Sequence, residues 1–255
     1  MEKKKSLGQH FLTSSHYLSL IADTARLKEG ERVLEIGPGD GALTRELLAR
    51  GANVVAIEKD YRLIPVLQEK FTKEISAQKL ILIEADALEH TEKKLKRPYI
   101  VVANIPYYIT GAIIKKFLTS KNQPSKMVLL IQKEVAERIA RSKKESLLSL
   151  SVKVYGEPRY VKSVPRGAFA PPPDVDSAIL SIANISRNNF QSTTHEKKFF
   201  EIIHAGFAHK RKLLVRNLES IFDKKSSTAL ENAQIPKTAR AEDVPLAQWL
   251  ALSKT

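Results

Sequence analysis

Val33-Leu34-Glu35-Ile36-Gly37-Pro38-Gly39-Asp40-Gly41 is the stretch whose reading decides the fold. The run Glu31–Ile36 reads as a strand, and three glycines and a proline stop it. A helix is expected from about Ala42 to Arg50, with Leu43, Leu47 and Leu48 apolar, ending at Gly51. Working outward, Asn53–Ile57 is a second strand closed by Glu58. Tyr61 to about Glu74 reads as a helix with Pro65 in its first turn. Leu80–Glu84 is a strand ending near Asp86, Tyr99–Ala103 a strand ending at Asn104, and Gly111–Leu118 a helix. Met127–Ile131 is a strand, Gln132 to about Arg141 a helix, and Leu148–Val154 a further strand. Upstream, Ser14 or Ser15 caps a helix running to about Leu27. Such alternation implies an α/β domain with a mostly parallel sheet and helices on both faces. Its ligand crevice belongs at the carboxyl ends of the strands. Gly37, Glu58, Asp86 and Asn104 all fall at such ends.

Past the sheet, Arg166–Ser177 is a proline-rich loop and Ala178–Ala183 a final strand. Asn184–Thr194 is polar and reads as a linker. His195–Ala208, Lys212–Phe222, Ser226–Asn232 and Asp243–Leu252 read as short amphipathic helices. The expected division is an α/β domain over residues 1–184 and a small all-α domain over residues 185–255.

The chain has 255 residues, no cysteine and a net charge of +14, from 42 Lys+Arg against 28 Asp+Glu. The lack of cysteine removes disulfides and thiolate metal sites. Basic excess spread over both parts favours a polyanionic partner, most simply nucleic acid. No stretch approaches the roughly 18 apolar residues of a membrane span. Met1-Glu2-Lys3-Lys4-Lys5 leads into Gly8-Gln9-His10 with no signal-peptide core, so a cytoplasmic, membrane-free protein is expected. Nothing demands a dimer, and a monomer is expected. His10, His90, His204 and His209 show no metal-ligand spacing, so no metal is expected.

Gly37-x-Gly39-x-Gly41 lets backbone approach a ligand at a helix amino terminus, but it is not the dinucleotide fingerprint, whose third glycine comes one residue later. Glu58 suits a ribose diol. A pyrophosphate, however, is repelled by Glu35, Asp40 and Glu58. A cationic nucleoside fits better: S-adenosylmethionine, with Asp86 accepting from its adenine amine. A nicotinamide dehydrogenase is disfavoured by the glycine spacing.

Asn104-Ile105-Pro106-Tyr107-Tyr108 alone is explained equally well by a proline-stopped strand with two tyrosines in the core. Beside that cofactor it acquires a mechanism. Asn104 and the Ile105 carbonyl, held in place by Pro106, accept the hydrogens of an aromatic exocyclic amine, and Tyr107 stacks on its ring. Among the basic residues, Lys3–Lys5, Arg138, Arg141, Lys143 and Lys144 are phosphate candidates. Lys210, Arg211, Lys212 and Arg216 form the densest cluster and are the preferred contacts.

The sequence resembles, from end to end, the small-subunit (16S-type) ribosomal RNA adenine N6,N6-dimethyltransferase family. Ser6–Leu12 resembles its opening segment, Val33–Gly41 its cofactor loop, and Asn104–Tyr107 its catalytic motif. Phe169-x-Pro171-x-Pro173-x-Val175-x-Ser177-Ala178 resembles the loop beside its target base. The resemblance implies a Rossmann-like S-adenosylmethionine-dependent methyltransferase sheet. It also implies cofactor contacts from His10, Leu12, Gly37, Gly39, Glu58, Asp86 and Asn104, and an adenine flanked by Tyr107 and Phe169. The implied substrate is two adjacent adenosines near the 3′ end of small-subunit ribosomal RNA, within a small ribosomal subunit precursor. Tyr108 departs from the Asn often found after the tyrosine, and Thr110-Gly111 from a common Ser-Thr. The competing readings are a large-subunit, resistance-type dimethyltransferase and a catalytically silent ribosome-assembly factor.

Overall fold

The computed structural model describes residues 10–89, 95 and 98–254. Lys3–Lys5, the Ser6–Gln9 part of the opening segment and His90 lie outside the described residues.

The main sheet has seven strands among the described residues: β2 (Arg32–Ile36), β3 (Asn53–Glu58), β4 (Leu80–Glu84), β5 (Ile100–Asn104), β6 (Lys126–Gln132), β7 (Glu157–Val164) and β9 (Ser177–Ala183). They stand in the order β4-β3-β2-β5-β6-β9-β7. The pairs from β4 across to β6 are parallel, and β9 runs antiparallel to both β6 and β7. Val33, Leu34, Val101, Val102, Leu129 and Leu130 are all buried, the continuous apolar reading expected of strands covered on both faces. From β2 the chain moves outward through β3 and β4, then crosses back to β5 on the other side. The crevice therefore opens where β2 and β5 end.

The first unit comprises the chain up to Ala136 together with Glu157–Ile185. Its helices include α1 (Ser15–Ala25), α2 (Ala42–Ala49), α3 (Ile64–Lys70), α4 (Thr72–Ser76) and α5 (Thr110–Thr119). The single helix expected over Tyr61–Glu74 is thus two, and Pro65 does occupy the first turn. Strand β6 is followed by α6 (Lys133–Ala140) and then α7 (Leu147–Lys153), before the chain returns to the sheet with β7. The α7 segment was expected to be a strand, and Leu148, Leu150, Val152 and Val154 do alternate with Ser149, Ser151 and Lys153. It is a helix because Ser146 and Ser149 form a reciprocal capping box: each side chain accepts the other's backbone N–H, at 3.1 and 2.7 Å. The neighbouring strand β7, missed in the sequence, is a sheet edge, the place where a proline such as Pro158 near the strand start is tolerated.

The proline-rich loop is more ordered than its composition suggests. Phe169–Ala170 forms β8, which pairs antiparallel with β1 (Phe11–Leu12), and the Ala170–Pro171 bond is cis.

The second unit comprises Glu137–Gly156 and Ser186–Thr255. It thus takes up the α7 region, which the division at 184/185 had left in the first domain. Its helices include α8 (Thr193–Gly206), α9 (Leu214–Asn217), α10 (Glu219–Phe222), α11 (Ser226–Asn232) and α12 (Leu246–Leu252). They enclose Trp249, Phe199, Leu214, Leu218 and Leu230, all buried. Gly206 admits the Trp249 ring: a Cβ there would lie 2.4 Å from it.

Candidate active site

The turn after β2 winds through positive φ at Gly37 (68°), Gly39 (61°) and Gly41 (78°), a path that L side chains resist. Space as well as torsion is restricted. A Cβ on Gly39 would lie 2.8 Å from the Phe11 ring, and one on Gly41 2.5 Å from the Phe71 ring. Glu58, at the end of β3, receives the Gly39 N–H at 3.1 Å on Oε2 and the Asp60 N–H at 2.8 Å on Oε1. Burial pushes its pKa upward, and those backbone donors oppose the shift. The Lys59 N–H is a third backbone donor to this carboxylate, which still leaves a lone pair for a ligand hydroxyl.

Asp86, just past β4, accepts from the Leu88 N–H at 2.8 Å and from Lys59 Nζ at 2.7 Å. The Lys59 contact holds it below the usual carboxylate range, so it stays an anion and an acceptor. Lys116 of α5 donates to the Ala87 and Leu88 carbonyls, at 2.8 and 3.0 Å, and fixes the loop that carries it.

Glu35 is not part of this anionic group. It is buried under α2, with Oε2 accepting from Thr44 Oγ1 at 2.7 Å and Oε1 lacking a protein partner. Burial raises its pKa to about 8, so at neutral pH it is predominantly the neutral acid. The repulsion ascribed to three carboxylates therefore rests on Asp40 and Glu58.

Across the crevice, β5 ends at Asn104. Asn104 Nδ2 donates to the His10 carbonyl at 3.0 Å, which leaves Oδ1 as the acceptor of the amide. His10 is itself tied by Nδ1 to the Pro171 carbonyl at 2.9 Å, and β1 pairs with β8 alongside. Pro106 is extended (φ −53°, ψ 132°), and a 3₁₀ turn over Tyr107–Ile109 leads into α5. Ile105 is 1% exposed, so its side chain is core, although the residue borders the cavity. The Tyr107 hydroxyl shares a 2.7 Å hydrogen bond with Ser177 Oγ, and its ring lies near-parallel to His10 with centroids 6.3 Å apart. Burial raises the Tyr107 pKa, keeping the hydroxyl neutral.

One cavity is lined by His10, Leu12, Gly37, Gly39, Glu58, Asp86, Asn104, Ile105, Pro106, Tyr107 and Phe169, so every expected cofactor and catalytic position meets there. Phe169 contributes an edge, because it is 5% exposed and packs into the core beside Leu12 and Leu18. Sequence reasoning passed over Phe11, Lys59 and Ser177. Phe11, inside the Ser6–Leu12 segment, and Ser177, closing the Phe169–Ser177 pattern, had each left a signal; Lys59 had left none. The arrangement offers acceptors for a ribose and an amino-purine at one end and for an aromatic amine at the other. No group of His, Asp or Glu among the described residues is placed to hold a metal ion.

In the second unit, Lys210, Arg211 and Lys212 form an exposed turn after α8. Arg216 pairs with Glu219 at 2.9 Å, which commits part of its charge. No helix among the described residues is long and apolar enough to cross a membrane.

The sequence matches the family described as ribosomal RNA adenine dimethylase over residues 1–255. It is 41% identical to the ribosomal RNA small subunit methyltransferase A of Dehalococcoides mccartyi (strain CBDB1), over 99% of this chain and 88% of that protein. Among solved structures, the 23S rRNA methyltransferase ErmE superposes with a TM-score of 0.79 at 28% identity, covering 96% of this chain and 98% of that one. A dimethyladenosine transferase from Plasmodium falciparum gives a TM-score of 0.79 at 25% identity, covering 95% and 96%.

Proposed function

Since the chain belongs to the ribosomal RNA adenine dimethylase family, we propose that the crevice at the strand ends carries S-adenosylmethionine-dependent dimethylation of adenosine N6 in small-subunit ribosomal RNA. The observation that carries this reading is the cavity that joins Glu58 and Asp86 to Asn104 and Tyr107. The cofactor fits the residues present: a glycine turn without room for a Cβ at Gly39, and two carboxylates at adjacent strand ends. Glu58 would hold the ribose diol and Asp86 the adenine amine. Gly37, Gly39, His10 and Leu12 would complete the walls. When bound, the cofactor supplies an electrophilic methyl group on a sulfonium.

The rest is done by the chain. An aromatic amine is a poor nucleophile because its lone pair is delocalised into the ring. Asn104 Oδ1 and the Ile105 carbonyl accept its two N–H groups and turn the lone pair out of conjugation. Tyr107 holds the ring by stacking, an interaction worth ~1–3 kcal/mol per base. The methylated nitrogen is a strong acid and loses its proton to water, so no general base is required. Positioning of this kind can supply ~7–11 kcal/mol. After the first methyl only one N–H remains, so the second transfer engages one acceptor. A duplex base must be unpaired or flipped to enter, at a cost of a few kcal/mol.

The second unit serves as the RNA-binding domain, with Lys210, Arg211 and Lys212 on the phosphate backbone. The protein acts as a cytoplasmic monomer on a precursor of the small ribosomal subunit. Methyl transfer to small-subunit particles, free small-subunit RNA and large-subunit RNA in parallel tests the assignment. Paired dimethyladenosines are expected in small-subunit RNA alone; incorporation confined to large-subunit RNA would overturn it. Replacing all three basic residues with Ala should lower affinity for RNA and flatten its salt dependence.

A further inference from the structure

The two tyrosines after Pro106 line the same cavity but have different neighbours. Tyr107 turns toward Ser177 and His10. Tyr108 is 68% exposed, lines the same cavity, and lies within electrostatic reach of the Lys59 ammonium, which is bonded to Asp86 at 2.7 Å. The other aromatic walls are committed elsewhere. Phe11 packs over Gly39, and Phe169 is buried beside Leu12. A large apolar ring left open to water beside a carboxylate acceptor is suited to cover a flat ligand whose edge that carboxylate binds.

We propose that Tyr108, with the aliphatic stem of Lys59, closes over the adenine ring of the bound cofactor. It is thus an affinity-determining residue of the cofactor site and takes no part in holding the target base. This inference rests on the reading of Asp86 as the adenine acceptor. It also gives a role to the residue that departs from the Asn commonly found after the tyrosine of the motif. Lys59 contributes twice, its ammonium orienting Asp86 and its methylenes extending the apolar rim.

Binding of S-adenosylhomocysteine, measured by titration calorimetry without RNA, tests this independently of turnover. Tyr108→Ala should weaken binding about tenfold, within the range of aromatic–base stacking, and Tyr108→Phe should stay within about twofold of the parent. The KM for RNA should not move. Asp86→Ala serves as the control on the site itself. If Asp86→Ala weakens binding and Tyr108→Ala does not, the cofactor site stands and the role of Tyr108 is wrong. If Asp86→Ala leaves binding unchanged, the adenine end has been misplaced and both readings fall. A Tyr108→Ala variant that binds the homocysteine ligand normally but needs more RNA would move Tyr108 to the target-base end.

Discussion

The two ends of the cavity are held together by different kinds of contact. At the cofactor end, Glu58 and Asp86 stand at the tips of the adjacent parallel strands β3 and β4. Backbone N–H groups of Gly39, Asp60 and Leu88, all within 19 residues of their acceptors, fix the carboxylates. At the amine end the contacts span far more chain. Asn104 bonds to His10 across 94 residues, and His10 bonds to Pro171 across 161. The first end follows from the sheet itself. The second requires three distant segments to close on one another, so single side chains there carry more of the geometry.

The sharpest way to break this contrast is Asn104→Ala. It removes the proposed amine acceptor and frees the His10 carbonyl together. A loss of about 10²–10³-fold in kcat is expected, the range for deleting one preorganised polar group. Asn104→Asp should be nearly as poor, because a carboxylate cannot donate to the His10 carbonyl oxygen. Tritiated-methyl incorporation measures both. Near-normal turnover in either would show that the amine is held by other groups.

The buried strand beneath the cofactor end should instead reveal itself through stability. Glu35 has a folded pKa of about 8 against an ordinary 4.5. A raised acid pKa favours the folded state at low pH, and that contribution is lost as pH rises through about 8. Denaturant unfolding should therefore show stability from this group falling between about pH 5 and pH 8, by a few kcal/mol at most. Glu35→Gln should flatten that slope while keeping a partner for Thr44. Parallel pH profiles for the two proteins would mean that the folded state does not hold Glu35 as the neutral acid.

Gly39→Ala links the two ends. The added methyl meets a left-handed backbone and the Phe11 ring at 2.8 Å. A stability loss of ~1–3 kcal/mol is expected from the backbone conformation. If the ring contact matters as well, Phe11→Ala should recover part of the loss in the double variant. An additive double variant would assign the whole cost to the backbone.

These differences also explain what could be read without coordinates. Strand ends are marked by where apolar runs stop, so Gly37, Glu58, Asp86 and Asn104 declared themselves through period and punctuation. Two-residue strands such as β1 and β8 have no period. The His10–Pro171 bond, one contact across 161 residues, leaves no trace in either segment. It was the family pattern, and not periodicity, that brought His10, Leu12 and Phe169 to the site. Lys59 went unnoticed because its pairing with Asp86 depends on the spacing of β3 and β4 in the sheet. The α7 segment misled for the opposite reason: a period-2 pattern was present, but the Ser146–Ser149 cap outweighed it.

The smallest expected effect separates orientation from stacking at the amine end. Tyr107 is neutral, so its hydroxyl and Ser177 Oγ share a single hydrogen bond at 2.7 Å, worth ~1 kcal/mol net. Ser177→Ala and Tyr107→Phe should each lower kcat/KM about fivefold, which is that energy expressed as a rate. Both keep the ring, so stacking on the base survives. If the hydrogen bond acts only by aiming the ring, the double variant should be no worse than either single one. Tyr107→Ala removes the ring itself and should fall well below all three. A double variant showing the product of the single losses would mean that Ser177 contacts the substrate on its own account. The amine end would then hold one more working group than the contacts around Asn104 imply.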